Sequence, residues 1–139
     1  MTIRIGSGSA WWGDRISPAA ANANLGKLQY LCFETMAEAT ISAAQVRKRK
    51  DPSFGGYDTW LDDRMNAVLP GCLANNTKII SNQGWINPIG AAERVIYWLK
   101  KIGAQVYLQI RGKLFFKFKT VICCIKLVFI FKLWLEVIN

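Results

Sequence analysis

The sequence contains no histidine and only four cysteines, so the side chains most often used for acid–base and metal chemistry are scarce. Without histidine, the chain cannot build a Ser-His-Asp triad or a Cys-His pair from its own residues. Its cysteines, Cys32, Cys72, Cys123 and Cys124, show none of the C-x-x-C spacings typical of zinc sites, and we assign no metal site. The N-terminus has no secretory-signal pattern, so we expect a cytoplasmic chain in which Cys32 and Cys72 are buried, reduced thiols.

Acidic residues are fewer than basic ones, and the imbalance is uneven along the chain. The net charge of +9 divides into +4 for residues 1–106 and +5 for residues 107–139. Strong positive charge can indicate a nucleic acid or an acidic membrane as partner. The first 106 residues are only mildly basic, and their basic run from Arg47 to Lys50 has no interleaved aromatic residues. We therefore interpret that run as a solvated helix end and expect no nucleic-acid partner.

Residues 107–139 contain no alanine, serine, proline or aspartate and consist largely of apolar residues and lysine. A membrane-spanning helix needs about 20 apolar residues, whereas here Lys126 would lie near the bilayer centre at a cost of about 2.5–3.5 kcal/mol. We expect this apolar, Lys-rich tail not to belong to the fold and to derive from a shifted reading frame or a retained intron. A membrane anchor and a membrane-surface helix remain open alternatives.

The first 106 residues alternate between strand-like and helix-like patterns. The strand-like runs are IRI, which ends at a glycine, LQYLCFE, TKIIS and AQVYLQI. Helices are expected to begin at Ser17-Pro18, at Thr35, at Asp58 or Thr59, and at Asn87-Pro88. The third of these is expected to kink or stop at Pro70. This order predicts an α/β domain over residues 1–106, with an incomplete, mostly parallel, Rossmann-like sheet flanked by helices and with the second strand covered on both faces.

Three loops are expected to meet at one edge of this sheet, because the carboxyl ends of parallel strands lie together. They run from Gly6 to Arg15, from Glu34 to Thr40 and from Ser81 to Asn87. This edge is where we expect any ligand to bind.

The first loop has a glycine-rich start that invites comparison with a dinucleotide fingerprint. Gly6, Gly8 and Gly13 give the spacing GxGxxxxG, and the helix begins only near Ser17, so free helix N–H groups do not follow the second glycine directly. Three alternatives stay open: a nucleotide-binding oxidoreductase domain, an anion site made by the Gly6 and Gly8 amides with Arg15, and a simple flexible connection.

The same loop carries two adjacent tryptophans followed by an acid and a base. Asp14 and Arg15 can form a local ion pair or contribute to ligand binding. Adjacent loop positions can hardly bury both Trp11 and Trp12, so we expect one ring to be partly exposed, and we expect at least one of them to pack against the protein. The pair suits the rim of a pocket for an apolar or acyl-type ligand.

The other two loops supply carboxylates and amides. Glu34 and Glu38, with Thr40 nearby, are candidates for acid–base catalysis or for binding a hard cation. Glu38 has an alternative structural role, complementing the positive end of a helix. Asn82 is the better candidate for orienting a ligand, because Asn87 has a sufficient role as a helix cap.

Four stretches make the chain resemble a known family: IRIGSGSAWWGDRISPA, LQYLCFETMAEATISAAQ, GYDTWLDDRMNAVLPGCLA and KIISNQGWINPIGAAERV. From about Thr2 to Gln105 the chain resembles the N-terminal domain of the acyclic terpene utilisation (AtuA-like) family. The resemblance implies a role in catabolism of acyclic terpenes such as citronellol and geraniol, with no particular reaction. The positions it matches are Gly6, Gly8, Gly13, Asp14, Arg15, Glu34, Glu38, Thr40, Arg64, Pro70, Asn82, Gly84, Asn87 and Pro88.

The resemblance also implies that family members are several times longer, so this chain would hold only the first part of their main domain. We expect a terpenoid or acyl-type small molecule as ligand, and we assign no cofactor. A truncated product without enzymatic activity, attached to a membrane through residues 107–139, is the remaining alternative. A sheet that stops after its fourth strand would leave an edge exposed, so we also expect a tendency to self-associate.

Overall fold

The computed structural model describes residues 2–104 and the backbone of two further strands. In chain order the elements are β1 (Ile5–Ser9), α1 (Ser17–Leu25), β2 (Tyr30–Phe33), α2 (Glu38–Lys50), α3 (Leu61–Ala74), β3 (Lys78–Ser81), α4 (Pro88–Lys101), β4 (Tyr107–Ile110) and β5 (Lys126–Phe129). All paired strands run parallel, in the order β1-β2-β3-β5-β4. The predicted α/β class and parallel sheet are confirmed.

The main core lies on one face of the sheet. Strands β1, β2 and β3 are parallel neighbours in chain order, and α1 and α3 from the two connections pack on the same face of them. Crossovers of the usual right hand have this result. Leu31 and Phe33 of β2 and Ile79 of β3 are buried there with residues of α1, α3 and α4. The alternate residues Tyr30 and Cys32 are only half-buried. The described residues therefore cover β2 fully on one face, not on both as the sequence predicted.

Strand β1 extends through the glycine-rich stretch, where the sequence predicted that it would end at Gly6. The ladder to β2 is shifted between Ser7 and Ser9, and a side chain on Gly8 would lie 2.5–2.7 Å from the Phe33 ring. A side chain on Gly6 would collide with Leu28. Close packing therefore requires glycine at both positions.

Helix α3 runs without a break through Pro70, where the sequence predicted a kink or a stop. Pro70 is exposed, while the next residue, Gly71, is buried against α1. A side chain on Gly71 would lie 2.6 Å from the Asn24 amide oxygen. The close contact between α1 and α3 therefore depends on a glycine at this position.

The helix starts were predicted with mixed success. Asn87 caps α4 as predicted, because its side-chain oxygen accepts a hydrogen bond from the Gly90 amide at 3.0 Å. Helix α1 begins at Ser17 with Pro18 in its first turn, but its N-cap is Ile16 and not Ser17 as predicted. Helix α2 begins at Glu38 and not directly after Thr35, and the N-cap of α3 is Trp60 in place of the predicted Asp58 or Thr59.

The C-terminal segment is described only in part. Strands β4 and β5 both lie within the predicted tail, and β5 pairs with β3 and with β4. The origin of residues 107–139 stays a prediction. Cys123 and Cys124 lie outside the described residues. Within the part of the chain that is described, none of the helices has the length and apolarity needed to cross a membrane.

Candidate functional site

The ends of the first three strands are joined by hydrogen bonds. The Glu34 amide donates to the Ser9 carbonyl at 3.1 Å, and the Ser9 hydroxyl donates to the Glu34 carbonyl at 3.0 Å. From the end of β3, the Asn82 side-chain amide donates to the Glu34 carboxylate at 2.7 Å, while its oxygen accepts from the Thr35 amide at 2.8 Å. The structure thus brings Ser9, Glu34 and Asn82 together, as expected for a common edge.

Beside these residues lies a cavity of about 780 Å³, which we call the strand-end cleft. Its floor includes Ile5, Cys32 and Ile80, and its rim carries Glu34, Glu38 and Asn82. The described lining contains two carboxylates and no lysine or arginine. Such a lining repels an anion and favours a hydroxyl group or a cation.

Glu34 is held in place on this rim, since one carboxylate oxygen accepts from Asn82 and the other from the Met36 amide at 2.9 Å. Glu38 lines the cleft as the first residue of α2, where its charge also complements the helix N-terminus. Cys32 on the floor carries a free thiol that is half-buried and not buried as predicted, whereas Cys72 in the core is buried as predicted. Burial raises the pKa of both thiols.

A second cavity of about 460 Å³ lies between the first loop and α2, and we call it the tryptophan groove. Trp11 and Trp12 form one wall, with ring centroids 5.4 Å apart and planes tilted by 58°. Thr40, Ala43, Ala44 and Arg47 of α2 face them, and Phe54 and Trp85 also line the space. Both Trp11 and Trp12 are exposed, by 56% and 37%, although the sequence predicted that at least one would be packed.

A family model described as "Acyclic terpene utilisation family protein AtuA" matches residues 3–110. The chain belongs to the acyclic terpene utilisation family. Membership confirms the resemblance seen in the sequence and links the chain to the use of acyclic terpenes, without indicating a reaction. No curated protein and no solved structure gives a significant match.

The candidate site residues predicted from the sequence occupy several places in the structure. Gly6 lines the strand-end cleft, whereas Gly8 is buried against Phe33. Trp11, Trp12 and Thr40 line the tryptophan groove. The remaining loop and cap positions lie outside the described lining of both cavities: Asp14, Arg15 and Asn87.

Two of these three residues, Asp14 and Asn87, make hydrogen bonds that stabilise the local backbone, and the third, Arg15, is exposed. The Asp14 carboxylate accepts hydrogen bonds from the Ala10 amide at 2.6 Å and the Trp11 amide at 3.0 Å, so it shapes the loop. Arg15 is exposed to solvent. The Asn87 amide donates to the Gly55 carbonyl at 2.7 Å, so Asn87 ties α4 to a loop besides capping it.

The structure gives the nucleotide-binding alternative no support from geometry. Gly6 and Gly8 lie within β1, and α1 begins only at Ser17. A phosphate cradle needs helix N–H groups directly behind the glycines.

Sequence reasoning missed a buried polar cluster that lies under the tryptophan loop. Arg64 and Asp58 are 0% and 1% exposed, and the Arg64 Nε lies 3.5 Å from the Asp58 carboxylate. Arg64 also donates from one terminal nitrogen to the Trp12 carbonyl at 2.5 Å, while its Nε and other terminal nitrogen have no hydrogen-bond partner among the described residues. The cluster therefore anchors the loop that carries the tryptophans.

The Asp58 carboxylate in this cluster has a hydrogen-bond donor of its own. Gln83 is buried and donates to the Asp58 carboxylate at 3.1 Å, and its oxygen accepts from the Ser81 hydroxyl at 2.8 Å. Burial is the main influence on Asp58 and raises its pKa. A signal for the cluster exists in the sequence, because Arg64 stands among Leu61, Met65 and Val68 on the apolar face of a helix.

Proposed function

We propose that this chain binds a branched acyclic terpenoid with a neutral, hydroxyl-bearing end in the strand-end cleft. Family membership supports an acyclic terpene as the ligand class. The observation that carries the assignment is the 2.7 Å hydrogen bond between Asn82 and Glu34, which sets an amide and a carboxylate side by side at the end of an apolar floor.

The apolar part of the ligand would lie over Ile5, Cys32 and Ile80. These side chains come from three different strands, and Ile5 is 66% exposed. Covering exposed apolar surface with a hydrocarbon chain is favourable by about 25 cal/mol per Å². The floor therefore supplies affinity without demanding a particular orientation, which suits a branched chain.

The polar end of the ligand would bind to Glu34, Glu38 and Asn82. An ionised carboxylate is only an acceptor of hydrogen bonds, so it binds a hydroxyl donor and repels a carboxylate ligand. Glu34 is fixed by its two partners and is preorganised to accept the ligand hydroxyl. Glu38 would then accept the hydroxyl proton in any acid–base step or help to hold a cation.

A binding experiment tests this proposal on the intact chain. We would titrate it with citronellol, a branched acyclic alcohol, and follow the heat of binding. The double variant Glu34→Gln/Glu38→Gln should bind at least about tenfold more weakly, because a hydrogen bond to a charged group contributes about 1.5–3 kcal/mol.

Glu93→Gln is the matched control, because Glu93 is an exposed residue of α4 outside the cleft lining. It should leave citronellol affinity unchanged. Equal affinity of the wild type and the double variant would remove Glu34 and Glu38 from the site.

A further inference from the structure

We infer that the tryptophan groove is a second binding site, for an amphipathic carboxylate with an extended apolar chain. The inference does not depend on the proposed alcohol site, because it concerns a different cavity with a different charge. Its ligand class is that of medium-chain fatty acids and their branched analogues.

The walls of the groove suit an apolar chain. Trp11 and Trp12, which are 56% and 37% exposed, line one side of the groove. Two small residues of α2, Ala43 and Ala44, line the other side. Exposed adjacent indoles leave a large apolar surface in contact with water. The small residues keep the facing wall at a distance, so a chain can lie between them and the rings. The volume of about 460 Å³ is within the range of small-molecule pockets.

The charge at one end of the groove selects an anion. Arg47 lines the groove, and its guanidinium carbon stands 4.2 Å from the centre of the Phe54 ring. Stacking on a ring orients the guanidinium plane and leaves its N–H donors at the edge, where they match a carboxylate. The described lining contains no aspartate or glutamate, in contrast to the strand-end cleft. The Asp51 carboxylate accepts hydrogen bonds from Ser53, which are the main cause that lowers its pKa, and attraction to Arg47 contributes to the same lowering.

Hydrogen bonds hold the backbone that carries the two tryptophans. Asp14 holds the turn through the Ala10 and Trp11 amides, and the buried Arg64 binds the Trp12 carbonyl. A preorganised wall lowers the entropic cost of binding. Arg64 is therefore a positioning residue for this groove.

Titration of the intact chain with decanoate, below its micellar concentration, tests the inference through quenching of tryptophan fluorescence and through calorimetry. We expect decanoate to quench tryptophan fluorescence saturably and 1-decanol, which lacks the charge, to quench it much more weakly. Binding of 1-decanol in the strand-end cleft would not contribute to this signal, because the described lining of that cleft contains no tryptophan. Arg47→Gln should weaken decanoate binding about tenfold, the effect of losing one charge-assisted hydrogen bond. Trp11→Ala should weaken binding by a similar factor in the calorimetric measurement.

Two control variants establish whether decanoate binds in this groove. Arg49→Gln removes the same charge from α2 at an exposed position outside the groove lining and should leave the affinity unchanged. Glu34→Gln/Glu38→Gln should also leave decanoate binding intact, so failure of the alcohol site would not affect this result. Equal losses in Arg47→Gln and Arg49→Gln, or unchanged binding in Trp11→Ala, would overturn the inference.

Discussion

Two ion pairs involve helix α3, and they differ in almost every respect. Asp58 and Arg64 are completely buried side chains, with 3.5 Å between the nearest charged atoms. Asp62 and Arg94 join α3 to α4 with side chains 37–38% exposed, and two hydrogen bonds of 2.7 Å connect them. The exposed pair has the better geometry, and Trp98 adds a further donor to Asp62 at 2.8 Å.

The difference shows that geometry alone does not rank the two pairs. A charge in contact with water loses little when its partner is removed, because solvent takes the partner's place. A charge in the interior has no such substitute, so a buried pair becomes costly once it is broken. The less regular pair is therefore the one on which the fold and the tryptophan loop depend.

The largest effect is expected from Arg64→Leu. This change leaves Asp58 buried without a countercharge and should lower the free energy of unfolding by about 3–5 kcal/mol. Urea-induced unfolding measures it. Adding Asp58→Asn removes the unpaired charge and should recover a large part of the loss. A loss below about 1 kcal/mol in the single variant would place the pair in the same class as the exposed one.

An effect of intermediate size is expected when the pH is changed. As the pH falls, the contributions of Asp58 and Asp62 to the free energy of unfolding should change in opposite directions. Hydrogen bonds from Arg94 are the main cause that lowers the pKa of Asp62 below its ordinary value of 3.8. The stability that Asp62 contributes to the folded state is fully present above pH 3.8, and it is lost as the pH falls through the lowered pKa of Asp62. Burial raises the pKa of Asp58 above 3.8, so acidification from the raised value toward 3.8 favours the folded state.

Urea unfolding of the wild type, Asp58→Asn and Asp62→Asn over a series of pH values measures both contributions. The stability difference between the wild type and Asp58→Asn should shift in favour of the wild type as the pH falls toward 3.8. The advantage of the wild type over Asp62→Asn should stay constant above pH 3.8 and shrink below it. The same sign for both residues would contradict the contrast between the pairs.

The smallest effect is expected for the exposed pair. A double-mutant cycle with Asp62→Asn and Arg94→Gln should give a coupling free energy of about 0.2–1 kcal/mol, since both side chains remain solvated. Added salt should reduce this coupling further. A coupling above about 3 kcal/mol would show that exposure does not weaken this pair.

The sequence by itself determined the α/β class and the meeting of Glu34 with Asn82. Strand and helix periods are local properties, and parallel strands necessarily bring their carboxyl ends to one edge. The Asn87 cap was equally local, because the side chain binds an amide three residues along the chain. Family membership followed from four stretches in order.

Only the tertiary structure decided which residues share a cavity. The sequence pattern of the first loop does not indicate that Trp11 and Trp12, in the turn held by Asp14, share a groove with α2. It also does not indicate that Arg64, 52 residues after Trp12, binds this loop. The packing role of Gly6 and Gly8 was not visible in the sequence either, because their packing partners, Leu28 and Phe33, belong to other segments. Contacts between distant segments depend on how whole elements pack, and a pattern read along one segment does not contain them.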